Sequence, residues 1–543
     1  LGDGESVAIY NNGTTKLGTA TATTTDGTTT WNFTPTKGLA QGDYSITAVV
    51  EDAAGNQGAA SAARTFKVDR TAPTLQDAAV NYVEGPGDTV VLTYNETLDA
   101  QHGPAASDFV VKVGGTDTQL DDNTPVKVYS NTVTLKLAGD VAADQIVTVS
   151  YNKANGVIQD LAGNAVAPHT IIIGTDNAET LTGTDGKDFI FGGGNDTIDG
   201  GKGSDDTLIV KGDISATDDN RIVNVENIVW YGVAGQETTA DFSGQTEDFT
   251  FRVTFDTGKD IIKLGSGNDT IYTSGTFTPG DAIIDASQDD YDMLNFTGDT
   301  IATDDDGIVN IEEIVWNGVA GQETTADFSG QSERLIVDVY VSTGKDVVIL
   351  GSGNDQIDLG NPGNFASGTD VIDGGGGDDT LMVVGNISAT DDKDIVNVEK
   401  IEWYGSAKGQ NTTADFSGQS ENFKVEVIVY TGKDVIKLGT GNDDISLRNP
   451  ADFASGTDVI DGGDGTDTLH IYRDQHLTAT DDSDLVNVEK IQLDGYGSSV
   501  NLVSNTEGFT IIGSDYADTI IGGAGADSIN GGGDRDIIYS GGG

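Results

Sequence analysis

The 543-residue chain contains no cysteine. That excludes disulfides, thiolate metal centres and cysteine nucleophiles. Histidine is almost as scarce: His102, His169, His470 and His476 are the four, and none has a partner at a metal-ligand spacing such as H-E-x-x-H. His470 and His476 flank Arg473 and Asp474 and read as lone surface residues. No stretch reads G-x-S-x-G or G-K-[ST], the signatures of a nucleophile elbow and a phosphate loop. Carboxylates are so common that no glycosidase-type pair stands out. The chain is therefore expected not to be an enzyme. Apolar runs are short, and none approaches the ~18 residues a membrane helix needs, so no membrane insertion is expected. No signal peptide is visible. Residues 1–4 read like the middle of a β-domain and residues 540–543 like the middle of a repeat, so both ends are expected to be cuts from a longer polypeptide.

Positive charge is also in short supply. Lys and Arg number 28 against 88 Asp and Glu, a net charge of −60. An excess of that size repels nucleic acid and anionic lipid and argues against either as a partner. It also makes the compact state self-repelling unless cations neutralise it.

What is abundant is glycine, 74 residues, with a period that shows geometry rather than disorder. Near the C-terminus Asp518, Asp527 and Asp536 are nine apart, each followed two residues later by Ile520, Ile529 or Ile538 and preceded by glycines. The pattern is G-G-x-G-x-D-x-U-x, with U apolar. A nine-residue unit cannot fold alone and must stack on copies of itself. The sixth-position aspartates recur upstream as Asp188, Asp196 and Asp205, then as the pairs Asp260/Asp269, Asp346/Asp355, Asp370/Asp379, Asp434/Asp443 and Asp458/Asp467. The register at Asp205 is open by one, because Asp206 has Leu208 two positions on. Glycines let the turns take φ > 0 and turn carbonyls inward, and the aspartates add carboxylates. Calcium takes six to eight such oxygens. The pattern weakens where Ala286-Ser287-Gln288 stand in place of Gly374-Gly375-Gly376, with Ala282 near an expected Asp, and again where Glu179 takes the Asp position. The first of these stretches is expected to keep the fold and bind little or no calcium.

A longer period overlies the short one. Ala-Thr-Asp-Asp begins at Ala216, Ala302, Ala389 and Ala479, spaced 86, 87 and 90 residues apart. Val-Asn-Val/Ile-Glu follows at Val223, Val309, Val396 and Val486. Trp230, Trp316 and Trp403 come next, with Leu493 in the fourth copy. Thr-Thr-Ala-Asp-Phe-Ser-Gly-Gln begins at Thr238, Thr324 and Thr412, and the fourth copy has Val500-Asn501-Leu502 there. Val-x-Val-x-x-Ile is strand patterning, so these stretches read as further coils of one parallel β-solenoid. The tryptophans would pack in its core or on its flank, where a repeated row could pack laterally into a lattice.

Residues 1–73 read as a β-sandwich, with hairpin signals at Asn12-Gly13 and Asp26-Gly27 and a period-two strand over 44–50. Residues 74–170 form a second β-domain, with short strands around 89–94, 109–113, 132–137 and 146–151. Asp52-Ala-Ala-Gly-Asn56 and Asp69-Arg-Thr-Ala-Pro73 resemble the closing motifs of bacterial immunoglobulin-like domains, and Asp160-Leu-Ala-Gly-Asn164 repeats the first of them. The second segment resembles spacer modules of very large bacterial surface proteins. Asp52 and Asp69 read equally as calcium ligands at an interdomain joint and as polar turn residues.

The nonapeptides of residues 171–543 resemble the RTX (repeats-in-toxin) family, whose glycine-rich turns bind calcium in a parallel β-roll. The resemblance implies an all-β chain: two Ig-like β-sandwiches, then a long calcium-binding solenoid of four long repeats. It implies multiple Ca²⁺ ions held by the sixteen aspartates named from Asp188 to Asp536. It further implies a secreted or cell-surface bacterial protein, serving as an adhesin, biofilm-matrix component or surface-layer component that folds on extracellular calcium. Partners would be calcium, other copies of the chain, or a cell-surface or glycan target. The alternative is the C-terminal part of a type I secreted RTX enzyme or toxin whose catalytic domain lies outside this chain.

Overall fold

The computed structural model describes residues 5–542, apart from 26–27, 84–86, 124, 154–155, 275–276, 278–281, 288–290 and 406–409. The expected turn at Asp26-Gly27, residues 1–4 and Gln288 lie outside the described residues. The fold is all-β. The only helical elements among the described residues are two 3₁₀ turns, Ala106–Asp108 and Pro362–Asn364. The chain divides into two compact units, Leu1–Thr175 with Gly186–Phe191, and Asp176–Asp185 with Gly192–Gly543.

The first unit opens with an antiparallel sheet in the order Thr28–Asn32, Thr15–Thr25, Ser6–Asn11, Gly42–Glu51, Arg64–Val68. Period-two alternation puts Val7, Ile9 and Ala20 in one apolar cluster and Ala8, Tyr10 and Val49 in another. A second domain follows. Its sheet Val126–Tyr129, Thr132–Lys136, Thr89–Tyr94, Leu75–Asn81 packs with the antiparallel strands Phe109–Val113, Val147–Tyr151 and His169–Ile173 around Val90, Leu92, Tyr94, Leu135 and Val149. That is a sandwich. Its last strand, His169–Ile173, also pairs in parallel with Asp188–Phe191, so antiparallel pairing gives way to parallel pairing within this unit.

The second unit is the solenoid. One face is a continuous parallel sheet. Each long repeat contributes four strands to it, as in Met293–Thr297, Glu313–Asn317, Ile336–Tyr340 and Gln356–Leu359. The opposite face is broken into separate short sheets. One of them stacks Thr300–Ile301, Glu323–Asp327, Lys345–Ile349, Val371–Asp373 and Ile395–Val396. The break falls in the coil that carries Ala-Thr-Asp-Asp. There Thr300–Ile301 opens one sheet and Ile308–Val309 closes the sheet before it, with residues 302–305 between them.

The core lies between the two faces. Trp230, Trp316 and Trp403 are each 0% exposed, as is Leu493 in the fourth copy. Each indole Nε1 donates to a glycine carbonyl one coil back: Gly212 O at 2.8 Å, Gly298 O at 2.9 Å and Gly385 O at 2.8 Å. Of the two expected places, core or flank, the tryptophans take the core, and a lateral packing row of them is ruled out. With no exposed surface they cannot touch a neighbour, and their buried N–H groups are satisfied inside the coil.

Candidate metal centres

Nine residues carry the chain from one edge of the solenoid to the other. Aspartates nine apart therefore sit on opposite edges, and those that meet are a full coil apart. Asp346 N–H donates to Asp370 Oδ1 at 2.9 Å, and Asp355 N–H donates to Asp379 Oδ1 at 2.7 Å. The next long repeat matches it, Asp434 to Asp458 at 2.9 Å and Asp443 to Asp467 at 2.7 Å.

The two edges treat their carboxylates differently. On the outward edge, where the chain leaves the continuous face, the loops satisfy them. Asp370 takes Ala366 N–H on its second oxygen at 2.8 Å, and Asp458 takes Ala454 N–H at 2.7 Å. Asp346 accepts from Thr324 Oγ1 and, at 2.5 Å, from Ser342 N–H, and Asp260 and Asp434 accept in the same way from Thr238 and Thr412. Asp196 accepts Glu179 N–H and Gly193 N–H at 3.0 and 2.9 Å.

On the return edge, where the chain climbs back to the continuous face, four aspartates use one oxygen and leave the other unpaired. Asp355 and Asp443 accept Leu335 N–H and Phe423 N–H, each at 2.7 Å, through Oδ1. The Oδ2 atoms of Asp355, Asp379, Asp443 and Asp467 are buried without a hydrogen-bond partner. An orphaned buried carboxylate oxygen is costly. Burial pushes Asp379 and Asp443 up to about 7 and Asp467 up to about 6, with neighbouring carboxylates adding to the rise. At the C-terminal coils the division relaxes. Asp518, on the outward edge, has an unpaired Oδ1 and donates its N–H to Asp536 Oδ1 at 3.1 Å, while Asp527 takes N–H groups on both oxygens.

Asp269 holds the place of Asp355 in the coils before. It is 1% exposed and accepts Phe249 N–H through Oδ1 at 2.8 Å. It departs from the expected set in two ways. Its carboxylate is not among those with an orphaned oxygen, which sets Asp269 apart from the candidate ligands Asp355 and Asp379. The residue that faces it one coil on, taking its N–H at 2.7 Å, is Asp292, a buried aspartate outside the expected series. Counting is corrected here for a physical reason: the turn before Asp292 has lost its glycines and its nine-residue spacing, so the motif fails while the buried place is still filled by aspartate. Asp188 is also 0% exposed and opens the strand Asp188–Phe191 in the first unit.

Main-chain carbonyls line the return edge, and the glycines make room for them. A β-carbon on Gly375 (φ +87°) would stand 2.1 Å from Gly351 O, and one on Gly377 2.0 Å from Gly353 O. One coil back, β-carbons on Gly351 and Gly353 would meet Gln331 O at 1.8 Å and Glu333 O at 2.2 Å. Orphaned carboxylate oxygens beside stacked carbonyls form an all-oxygen donor set of the type hard divalent cations take, so these residues fit calcium.

The two degraded stretches lose aspartate on the outward edge. Ala282 stands opposite Asp260 where Asp370 stands opposite Asp346, and its strand, Ala282–Asp285, still forms. Glu179 stands beside Asp196. The open register at Asp205 resolves to its neighbour. Asp205 is exposed with φ +66°, while Asp206 is 0% exposed on the return edge.

Residues of the long repeat hold these loops together, a role sequence reading missed. Gln245, Gln331 and Gln419 are buried and donate Nε2 to carbonyls of the Ala-Thr-Asp-Asp loop, as Gln331 does to Ala302 O at 3.1 Å and Asp304 O at 2.7 Å. The signal was there, since one glutamine recurs at one place in three copies.

In the first unit Asp52 caps its own turn, accepting Ala54 N–H and Asn56 N–H, both at 2.9 Å, and the carboxylate of Asp160 does the same for Ala162 and Asn164 at 2.8 Å. Asp69 does not join Asp52. It joins Glu96 and Asp160, with carboxylate oxygens within 4.8 Å of one another, and burial together with the charges of Asp160 and Asp69 raises Glu96.

The RTX calcium-binding nonapeptide repeat family matches residues 173–206, 256–275, 338–361, 366–382, 454–470 and 512–543. The solenoid carries RTX repeats. These nonapeptides are calcium-binding motifs, and the solenoid they build is a structural fold. Asp434 and Asp443 lie outside the matched stretches, although their edges have the geometry of the matched repeat before them. The bacterial Ig-like domain family matches residues 2–70, and the SWM repeat family, described as flagellar system-associated, matches residues 68–156. No curated protein matches the chain. Among the described residues no helix is long and apolar enough to cross a membrane.

Proposed function

We propose that this chain is part of a secreted, calcium-binding structural protein of the bacterial cell surface, an adhesin or a matrix or surface-layer component, whose solenoid folds on extracellular calcium. One observation carries the reading: the buried, unpaired oxygens of Asp379, Asp443 and Asp467 among main-chain carbonyls of the same edge. Without a cation these groups oppose folding, and with one they become its ligands, so binding free energy becomes folding free energy. The net charge of −60 acts in the same direction along the whole chain. Domains at 1–73 and 74–170 before a solenoid at 171–543 suit a spacer-and-stalk arrangement. The donor set is built for holding ions rather than for turning over a substrate, which supports a non-enzymatic role. On this reading calcium sits chiefly on the return edge, and the outward-edge aspartates serve as loop caps.

The test is far-UV circular dichroism of the chelator-stripped chain, titrated with calcium and separately with magnesium. The expected result is a cooperative gain of β-signal with calcium alone. A spectrum already fully folded after stripping, and unchanged by calcium, would refute the switch.

A further inference from the structure

The Val-Asn-Val-Glu motifs lie outside the nonapeptide pattern, yet their backbone reproduces its turn. Asn397 and Asn487 adopt φ +51° and +50°, a left-handed conformation that favours glycine. Their side-chain amides are tied down on Asp373 Oδ1 at 2.7 Å and Asp461 Oδ1 at 2.8 Å. Two residues on, Glu399 and Glu489 accept the N–H groups of Asp379 and Asp467 through Oε2, both at 2.8 Å. Asp379 and Asp467 accept the same kind of bond from the coil before them. The glutamate thus takes the position that aspartate holds elsewhere on this edge.

Beside it lies an oxygen-lined space. A β-carbon on Gly374 would stand 2.2 Å from Asn397 O and 2.8 Å from Asp379 Oδ2, and one on Gly462 2.3 Å from Asn487 O and 2.6 Å from Asp467 Oδ2. Those aspartates are 1% and 0% exposed, and their Oδ2 atoms have no hydrogen-bond partner. The first long repeat places Gly200, Asn224, Asp206 and Glu226 in the same way, with Glu226 Oε2 2.8 Å from Asp206 N. The second repeat keeps the glutamate's hydrogen bond, Asp292 N–H to Glu312 Oε2 at 2.7 Å, and differs in what lies beside it. Ala286 holds the place of Gly374, following the strand residue that pairs with Val309 as Asp373 pairs with Val396. There the Asn310 amide donates to Asp285 Oδ1 at 3.1 Å, as its counterparts do to Asp373 and Asp461, and also to Ala286 O at 2.9 Å.

We propose that Val-Asn-Val-Glu closes an additional calcium site in the first, third and fourth long repeats, with the aspartate carboxylate, the asparagine main-chain carbonyl and the glutamate carboxylate as donors, and that the second repeat lacks it. The inference rests on the reading that the return edge binds calcium. Two carboxylates and a carbonyl are donors suited to that ion. A glutamate serving only as a hydrogen-bond cap would be replaced by glutamine without loss, because the amide oxygen accepts the same N–H.

Calorimetric titration of the chelator-stripped full chain with calcium chloride separates the two roles. Glu399→Gln and, in a different coil, Glu489→Gln are each expected to bind one calcium fewer, or to bind it on the order of tenfold to a hundredfold more weakly. Their calcium-saturated circular dichroism should match the parent chain. Glu312→Gln, in the second repeat, is expected to leave the titration unchanged. Parental stoichiometry and affinity in both Glu399→Gln and Glu489→Gln would overturn this inference and leave the nonapeptide sites standing. No calcium uptake by the parent chain would overturn both readings.

Discussion

Acid should partly replace calcium. In the calcium-free fold Asp379 and Asp443 are held near 7 and Asp467 near 6, against an ordinary value of 3.8. The unfolded chain has given up these protons well below neutrality, while the folded chain keeps them. Between the two values the native state binds more protons, so calcium-free stability is present at low pH and is lost as pH rises through the folded values. Lowering the pH from about 7 to about 5 relieves roughly 2 kcal/mol at each of Asp379 and Asp443 and roughly 1 at Asp467, together about 5 kcal/mol. Asp355, Asp370 and Asp458 are also raised, chiefly by burial, and act in the same direction. Calcium reverses the sign, because it binds the ionised carboxylates.

The assay is a urea unfolding series on the stripped chain, with and without saturating calcium, at several pH values between about 5 and 7. The calcium-free solenoid should show a folded state and a midpoint only toward pH 5 and lose both as pH rises, while the calcium-loaded midpoint should rise or hold. A calcium-free midpoint that climbs with pH would refute the reasoning, since it would mean that these aspartates are ionised in the folded chain without cost.

Substitutions on the two edges should have opposite signatures. Asp379→Asn removes a buried charge that lacks a partner, so it should stabilise the calcium-free chain at neutral pH while weakening calcium binding. Asp370→Asn spoils a loop cap and should cost about 1–3 kcal/mol with the calcium stoichiometry intact, as calorimetry and urea unfolding would show. Trp316→Ala leaves a cavity in the core and removes the indole's bond to the Gly298 carbonyl, for a loss of about 3–5 kcal/mol read from the unfolding midpoint of the calcium-loaded chain.

Much of this was legible in the sequence because the solenoid is nearly one-dimensional. The period of nine locates the turns. The 86- to 90-residue period locates the longer coils, and the apolar residue two places after the aspartate is buried from Ile190 to Ile520, though not at Ile538 in the last coil. What the pattern concealed is that a nine-residue step ends on the opposite edge. Asp346 and Asp355 look equivalent in the sequence, yet Asp346 is capped by Thr324 and Ser342 while Asp355 keeps an unpaired oxygen. Gln331, Thr324 and Glu399 were silent for a related reason. Each acts on a residue a whole coil away, so nothing next to it in the chain reveals its partner. Counting alone failed at two places. At Asp205 the turn exposes the counted residue and lets Asp206 take the buried place. After Asp269 the glycines that mark the next turn are missing, so the buried Asp292 went uncounted.

The asymmetry of the edges bears on how calcium can act as a switch. A solenoid with unpaired carboxylates on both edges would have no part able to form without the ion, and calcium would have to order every loop at once. Here, before the C-terminal coils, the outward edge closes by itself: Asp370, Asp394, Asp458 and Asp484 all take N–H groups from their own and neighbouring loops. The unfavourable charge is concentrated on the other edge, in loops stacked so that one ion can touch two coils. Each coil then supplies half of a site and completes it only when its neighbour is in register. On the proposed reading, calcium binding at one step would favour the next, and the cooperativity of the switch would follow from the same stacking that makes the nonapeptide unable to fold alone.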